Sequence, residues 1–280
     1  MLRTLIEKWK KMKSGSTTET ELPGVAPADA SPADKKTVSC GTHGSSAATF
    51  VCKHLAENPA QRWHCGYPEE DDQWPDAWCD ECNVAYEREG EWNERNEAVS
   101  DVKLLCSGCY DDGIAKSVNR LTGEPLAAWE AWTVDCCRTL SEKQNTLWER
   151  FQINSYPRWD YDQESARLVF SGADMPDLIA DVEFVGTLST VSNTWKWAWA
   201  NFSLLAPVRS RIGAVRDLGE TKDYPHLRVP MWYADQQEGW HMAGVATEIL
   251  GAQGAYRAPT DNGFIFMVMM GVRHADSKAN

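Results

Sequence analysis

Between residues 40 and 109, eight soft ligands arrive as four closely spaced pairs: Cys40-x2-His43, Cys52-x-His54, Cys79-x2-Cys82 and Cys106-x2-Cys109. Thiolate and neutral imidazole are the donors that zinc takes, and a structural site closes with four of them. Eight donors therefore predict two structural zinc ions and a module, residues 38–118, built around metal. Ligand binding would then be folding free energy for that module, because the site does not exist in the unfolded chain.

The spacing leaves the connectivity open. Sequential pairing gives Cys40, His43, Cys52 and His54 in one site and Cys79, Cys82, Cys106 and Cys109 in the other. A cross-braced pairing joins Cys40 and His43 to Cys79 and Cys82, and Cys52 and His54 to Cys106 and Cys109. Loop closure mildly favours the sequential arrangement, whose loops are shorter. Twenty-four residues separate His54 from Cys79, so the spacing of a ring finger is absent and no ubiquitin ligase activity is inferred. His64-Cys65 is a spare soft pair that could serve an open, catalytic site, with a carboxylate from Glu69, Glu70, Asp71 or Asp72 as base. That reading is a zinc-dependent hydrolase. The simpler reading of the acidic run is a solvated loop.

Charge narrows what such a module can meet. From Cys40 to Asp112 there are 16 acidic residues against five basic ones, a net −11 within a chain of net −13. Two divalent ions held by six thiolates would make the module two units more negative. Nucleic-acid affinity comes mainly from phosphate neutralisation, so DNA and RNA are poor partners. A basic protein is the better expectation, since complementary charge speeds encounter and sets specificity.

The nine cysteines include three outside the pairs, Cys65, Cys136 and Cys137. An odd count with x2 spacings indicates metal binding in a reducing compartment, not a disulfide framework. With no secretory apolar region and no apolar run long enough to span a bilayer as a helix, the expectation is a cytoplasmic protein.

At 280 residues the chain has room for two domains. Residues 1–13 are expected to form a basic amphipathic helix that docks on an acidic protein surface or, less favoured, on anionic lipid. Residues 14–37 have the composition of a flexible linker. From residue 119 to 280 the pattern is α+β around an antiparallel sheet, so the fold class is α+β with a small zinc-stabilised module in front. Residues 119–152 have helical spacing, with a capping-box-like restart at Ser141-x-x-Gln144. Residues 168–170 and 182–188 read as strands, 195–200 as an alternating strand, 207–218 and 236–250 as helices, and 255–272 as a hairpin.

The 14 tryptophans need cores or surfaces to bury them. Trp195, Trp197 and Trp199 fall on one face at period two. An inner sheet face explains them most simply, and an aromatic ligand platform is the sharper alternative. Arg209, Arg211 and Arg216 give the following helix a basic side that could dock an acidic partner. No phosphate loop, nucleophile elbow or His-Glu-x-x-His helix appears, and His226, His241 and His274 are isolated.

Trp195-x-Trp-x-Trp-Ala-Asn201, Leu218-Gly219 and Gly254-Ala-Tyr-Arg257 resemble an uncharacterised bacterial domain family of unknown function, over roughly residues 120–275. Upstream, Phe50-Val-Cys-Lys-His54-Leu, Pro75-Asp-Ala-Trp-Cys79 and Leu104-Leu-Cys-x2-Cys109-Tyr are similar to an uncharacterised bacterial zinc-binding module. The resemblance implies a bacterial, cytoplasmic, zinc-binding protein and carries no activity. A role in toxin immunity or intercellular conflict follows by analogy alone.

Overall fold

The computed structural model describes residues 36–275, so the helix expected over 1–13 and nearly all of the linker expected over 14–37 lie outside the described residues. The described chain is α+β and divides into two compact units between Ser117 and Val118.

In the first unit, β1 (Thr37–Cys40) and β2 (Gly44–Val51) form a hairpin in which Cys40 pairs with Gly44. A short helix α1 (Lys53–Glu57), β3 (His64–Cys65) and β4 (Ala77–Trp78) follow. Then come α2 (Asp80–Glu89), α3 (Glu94–Ser100), β5 (Lys103–Cys106) and α4 (Ser107–Lys116). Strand β2 organises the sheet. It pairs antiparallel with β1 and β5, and in parallel with β4 at Val51–Ala77. A small apolar core of Val51, Leu55, Trp63, Ala77, Ala85, Tyr110 and Ile114 lies among these elements. The Trp63 and Tyr110 rings meet edge to face at 5.1 Å, and the Tyr110 hydroxyl donates to the Pro75 carbonyl.

The second unit begins with the long helix α5 (Gly123–Phe151). No restart occurs at Ser141. Its hydroxyl donates to the Cys137 carbonyl one turn back, and the Gln144 side chain accepts from the Ala255 amide across the packing interface. A Ser-x-x-Gln pair inside an already continuous helix has no free amides to cap.

A seven-stranded antiparallel sheet follows, from β6 (Arg158–Asp162), β7 (Arg167–Gly172), β8 (Met175–Ser189), β9 (Thr194–Trp197), β10 (Met231–Tyr233), β11 (Gly254–Thr260) and β12 (Gly263–His274). Fifteen-residue β8 is its spine: β12 runs along one edge, while β7 and β9 share the other. The segment expected as one helix after Pro207 is two, α6 (Ala206–Arg211) and α7 (Gly213–Lys222), broken at Ile212. A one-turn helix α8 (Pro225–Arg228) leads into β10. Helix α9 (Gln236–Leu250) packs on β8 and β12 and against α5. It is bounded as its sequence dictates, by a capping box from Asp235 and Glu238 and by left-handed Gly251.

Trp195, Trp197 and Trp232 are fully buried among Phe184, Phe266, Leu227 and Ile212. Trp195 lies edge to face with Trp197 and Phe266, at 5.4 and 5.5 Å. It packs directly over Gly186, where a Cβ would come within 2.4 Å of its ring, so only glycine admits it. Trp199 is also buried, on a 3-10 turn after the strand ends at Trp197. These rings are core, and the ligand platform is corrected on that ground: no ring face of Trp195 or Trp197 reaches solvent. Among the described residues no helix is long and apolar enough to cross a membrane.

Candidate metal centres

The eight paired ligands converge as two groups of four. Cys40, His43, Cys106 and Cys109 form one, and Cys52, His54, Cys79 and Cys82 the other. Within each group the ligand atoms lie within 4.8 Å of one another. The pairing is nested, first pair with fourth and second with third. This corrects both connectivities expected from spacing, and each group holds three cysteines and one histidine. The sheet explains why. Antiparallel pairing of Ala48 with Cys106 carries the fourth pair back to the β1–β2 hairpin that holds the first. Parallel pairing of Val51 with Ala77 sets Cys52 beside Cys79.

Local structure aims the donors. Cys52, Cys79 and Cys106 are each the N-cap of a helix, with extended backbone. The x2 spacing then puts Cys82 and Cys109 at the third helical position, beside the cap. The Cys109 amide donates to the Cys106 sulfur at 3.3 Å. Helix N-termini favour anionic sulfur, through free amides and the macrodipole. Gly108 is required for close approach, because a Cβ there would lie 2.5 Å from the His43 ring.

The separations fit a tetrahedral ion. Zinc bonds of about 2.3 Å to sulfur and about 2.0 Å to nitrogen set an S···S edge of about 3.8 Å and an S···N edge of about 3.5 Å. The Cys40 and Cys109 sulfurs are 3.8 Å apart. His43 Nδ1 lies 3.4 Å from Cys106 Sγ, 3.5 Å from Cys109 Sγ and 3.9 Å from Cys40 Sγ. His54 Nδ1 lies 3.4 Å from Cys79 Sγ and 3.3 Å from Cys82 Sγ. A disulfide would need about 2.05 Å, and none of the nine cysteines is disulfide-bonded.

Both histidines present Nδ1 to the sulfurs and turn Nε2 outward to a carboxylate. His43 Nε2 is 3.3 Å from Asp112, and His54 Nε2 is 3.7 Å from Glu81. A carboxylate on the second nitrogen fixes the tautomer and raises ligand basicity. Both acids sit on the helix that carries cysteines of the same group. Spacing alone did not single them out, yet Cys109-x2-Asp112 and Glu81-Cys82 are visible in the sequence once the nested pairing is known.

Without metal the protons divide unevenly. The His43 and Thr42 amides hold the Cys40 thiol down at about 6, whereas burial pushes Cys109 up to about 12 and raises Cys52 and Cys82. The Cys40 sulfur, foremost, raises the His43 imidazole. A divalent ion must displace these protons, so affinity rises with pH.

His64 and Cys65 belong to neither group. His64 Nε2 is held by Asp80 at 2.6 Å, and Cys65 pairs in the sheet with Ala77. In the second unit the arginines proposed as a docking patch are engaged locally. Arg209 lies over the Phe202 ring at 4.6 Å, Arg211 reaches Glu183 at 3.3 Å, and Arg216 reaches Asp217 at 2.9 Å. Cys136 is buried on α5 as a small apolar residue.

Residues 130–272 match a family described as a family of unknown function (DUF6882), which is half of the chain. The chain belongs to that family. The match covers most of the second unit, including Trp195, Trp197, Trp199 and Asn201, and both metal groups lie wholly upstream of it. No curated protein and no solved structure matches the chain.

Proposed function

We propose that this protein is a non-enzymatic, zinc-binding adaptor whose acidic metal-built module docks a basic protein partner. One observation carries the reading: each metal group presents four protein donors at tetrahedral spacing, inside a segment of net −11. Three thiolates and one imidazole suit zinc better than a hard, oxygen-seeking cation. Four donors also fill the coordination shell, leaving no position for the water that a zinc hydrolase activates. The spare pair does not reopen a site, since His64 is engaged with Asp80. Each loaded site carries a net charge of −1, so metal deepens the acidity of the module. A bacterial, cytoplasmic setting and a role in immunity or conflict belong to the same proposal.

The test is retention of the zinc-loaded chain on immobilised basic protein and on duplex DNA at matched salt. Salt-sensitive retention on the protein and passage through the DNA support the reading. Retention by DNA alone, or zinc-dependent hydrolysis of a model ester or peptide, overturns it.

A further inference from the structure

Three aromatic rings of the first unit gather beside the second metal group. Trp78 directly precedes the ligand Cys79, Tyr86 lies on α2 one turn beyond the ligand Cys82, and Trp92 follows that helix. Their centroids form a near-equilateral triangle: Trp78–Tyr86 5.8 Å, Trp78–Trp92 5.5 Å and Tyr86–Trp92 5.4 Å. Trp78 and Trp92 stand almost perpendicular, at 84°, and Tyr86 is inclined by 42° and 43° to them. All three are part-exposed, unlike the buried tryptophans of the second unit.

The surroundings are anionic. From Trp78 to Arg95 there are six acids and two bases. Both bases are turned onto Glu89, Arg88 at 3.5 Å and Arg95 at 2.9 Å. Glu87 is tied to the rings themselves. The Trp78 indole N–H donates to Asn83 Oδ1, and the Asn83 amide donates to Glu87 Oε1 at 2.8 Å. Among the described residues, no arginine or lysine makes a cation–π contact with Trp78, Tyr86 or Trp92, whereas Arg209 and Arg257 each lie over a ring in the second unit. Aromatic faces with a fixed carboxylate at their edge attract a cation through ring quadrupole and charge together.

We propose that Trp78, Tyr86 and Trp92 form the receptor for a cationic side chain, arginine or lysine, of the protein partner. This rests on the reading of the module as an acidic docking surface and names the place on it where one partner residue is held. Metal at the second group would hold Cys79 and Cys82, and so set the spacing of Trp78 and Tyr86.

The experiment titrates the full zinc-loaded chain with a short arginine-rich peptide, following the Trp78 and Trp92 indole N–H signals by NMR and affinity by calorimetry. The expected result is a shift of both indoles and a loss of about tenfold in affinity for Trp92→Leu. Trp92→Phe should retain most of the binding, and Glu87→Gln should weaken it about threefold at unchanged zinc content. The indole shifts are read on the unaltered chain, so they stand even if Trp92→Leu folds poorly. Peptide binding with both indoles unmoved and Trp92→Leu as tight as the parent overturns the ring site and leaves the acidic docking surface standing. No peptide binding at low salt overturns both.

Discussion

The two units hold their backbones by opposite means. The second buries Trp195, Trp197, Trp232, Phe184 and Phe266 under a long sheet and two helices. The first has only a modest apolar core, carries most of the chain's net negative charge, and gathers its strand ends and three helix N-termini around two Cys/His groups that could hold metal ions. Apolar burial is indifferent to chelators. Thiolate–metal bonding is directional and reversible, and it ends when the metal is removed. The comparison teaches that the chain's tolerance of conditions is set separately in each unit.

The largest effect should come from removing metal. Chelation, or Cys109→Ser, is expected to abolish cooperative folding of the first unit, since structural zinc contributes on the order of 10 kcal/mol in small metal-built modules. Calorimetry should then lose one transition and keep the other. Loss of both together would erase the distinction between the units. In the second unit, Trp195→Ala should cost about 3–5 kcal/mol by leaving a cavity over Gly186. Zinc content, measured by atomic emission, should stay unchanged.

A smaller effect concerns acid. The His226 ring is stacked on Trp129 at 5.1 Å and meets the Trp232 ring at 5.5 Å, and burial holds its imidazole down at about 4, below the ordinary 6.5. Above pH 6.5 it is neutral in both states and adds no pH dependence. Between 6.5 and 4 the unfolded chain takes up a proton that the folded chain refuses, so stability falls as pH falls. The decline should total about 3 kcal/mol at pH 4 and be absent from His226→Gln, as followed by denaturant melts of the second transition. The smallest expected effect sharpens the metal side. Asp112→Asn should lower affinity at the first group about tenfold to a hundredfold, and Glu81→Gln should do the same at the second, each in competition with a chromophoric chelator.

Much of this organisation is legible in the sequence. Apolar spacing gives α5 and α9, Gly251 stops α9, and the turn at Asp261-Asn262 marks the last hairpin. The ligand pairs announce themselves by spacing. Their nested partnership does not, because it depends on strand pairing. Joining Cys40 to Cys109 across some 70 residues instead of to Cys52 costs only on the order of 2 kcal/mol in loop closure. The four-residue register between β2 and β5 outweighs it. Short β6 and β10 and one-turn α8 carry too few residues for a period to show. The break between α6 and α7 hides inside a continuous helical spacing. The aromatic triad was equally hidden, since Trp78, Tyr86 and Trp92 meet only after α2 and the chain beyond it have folded.

The most direct test is cadmium-113 NMR of the fully loaded protein, with each metal signal correlated to the cysteine β-protons coupled to it. Nested pairing predicts two signals, both with three sulfur ligands and one nitrogen. One should couple to Cys40, Cys106 and Cys109 and the other to Cys52, Cys79 and Cys82. One four-sulfur signal beside one with two sulfurs, or a signal coupling Cys40 with Cys79, would contradict the nested pairing.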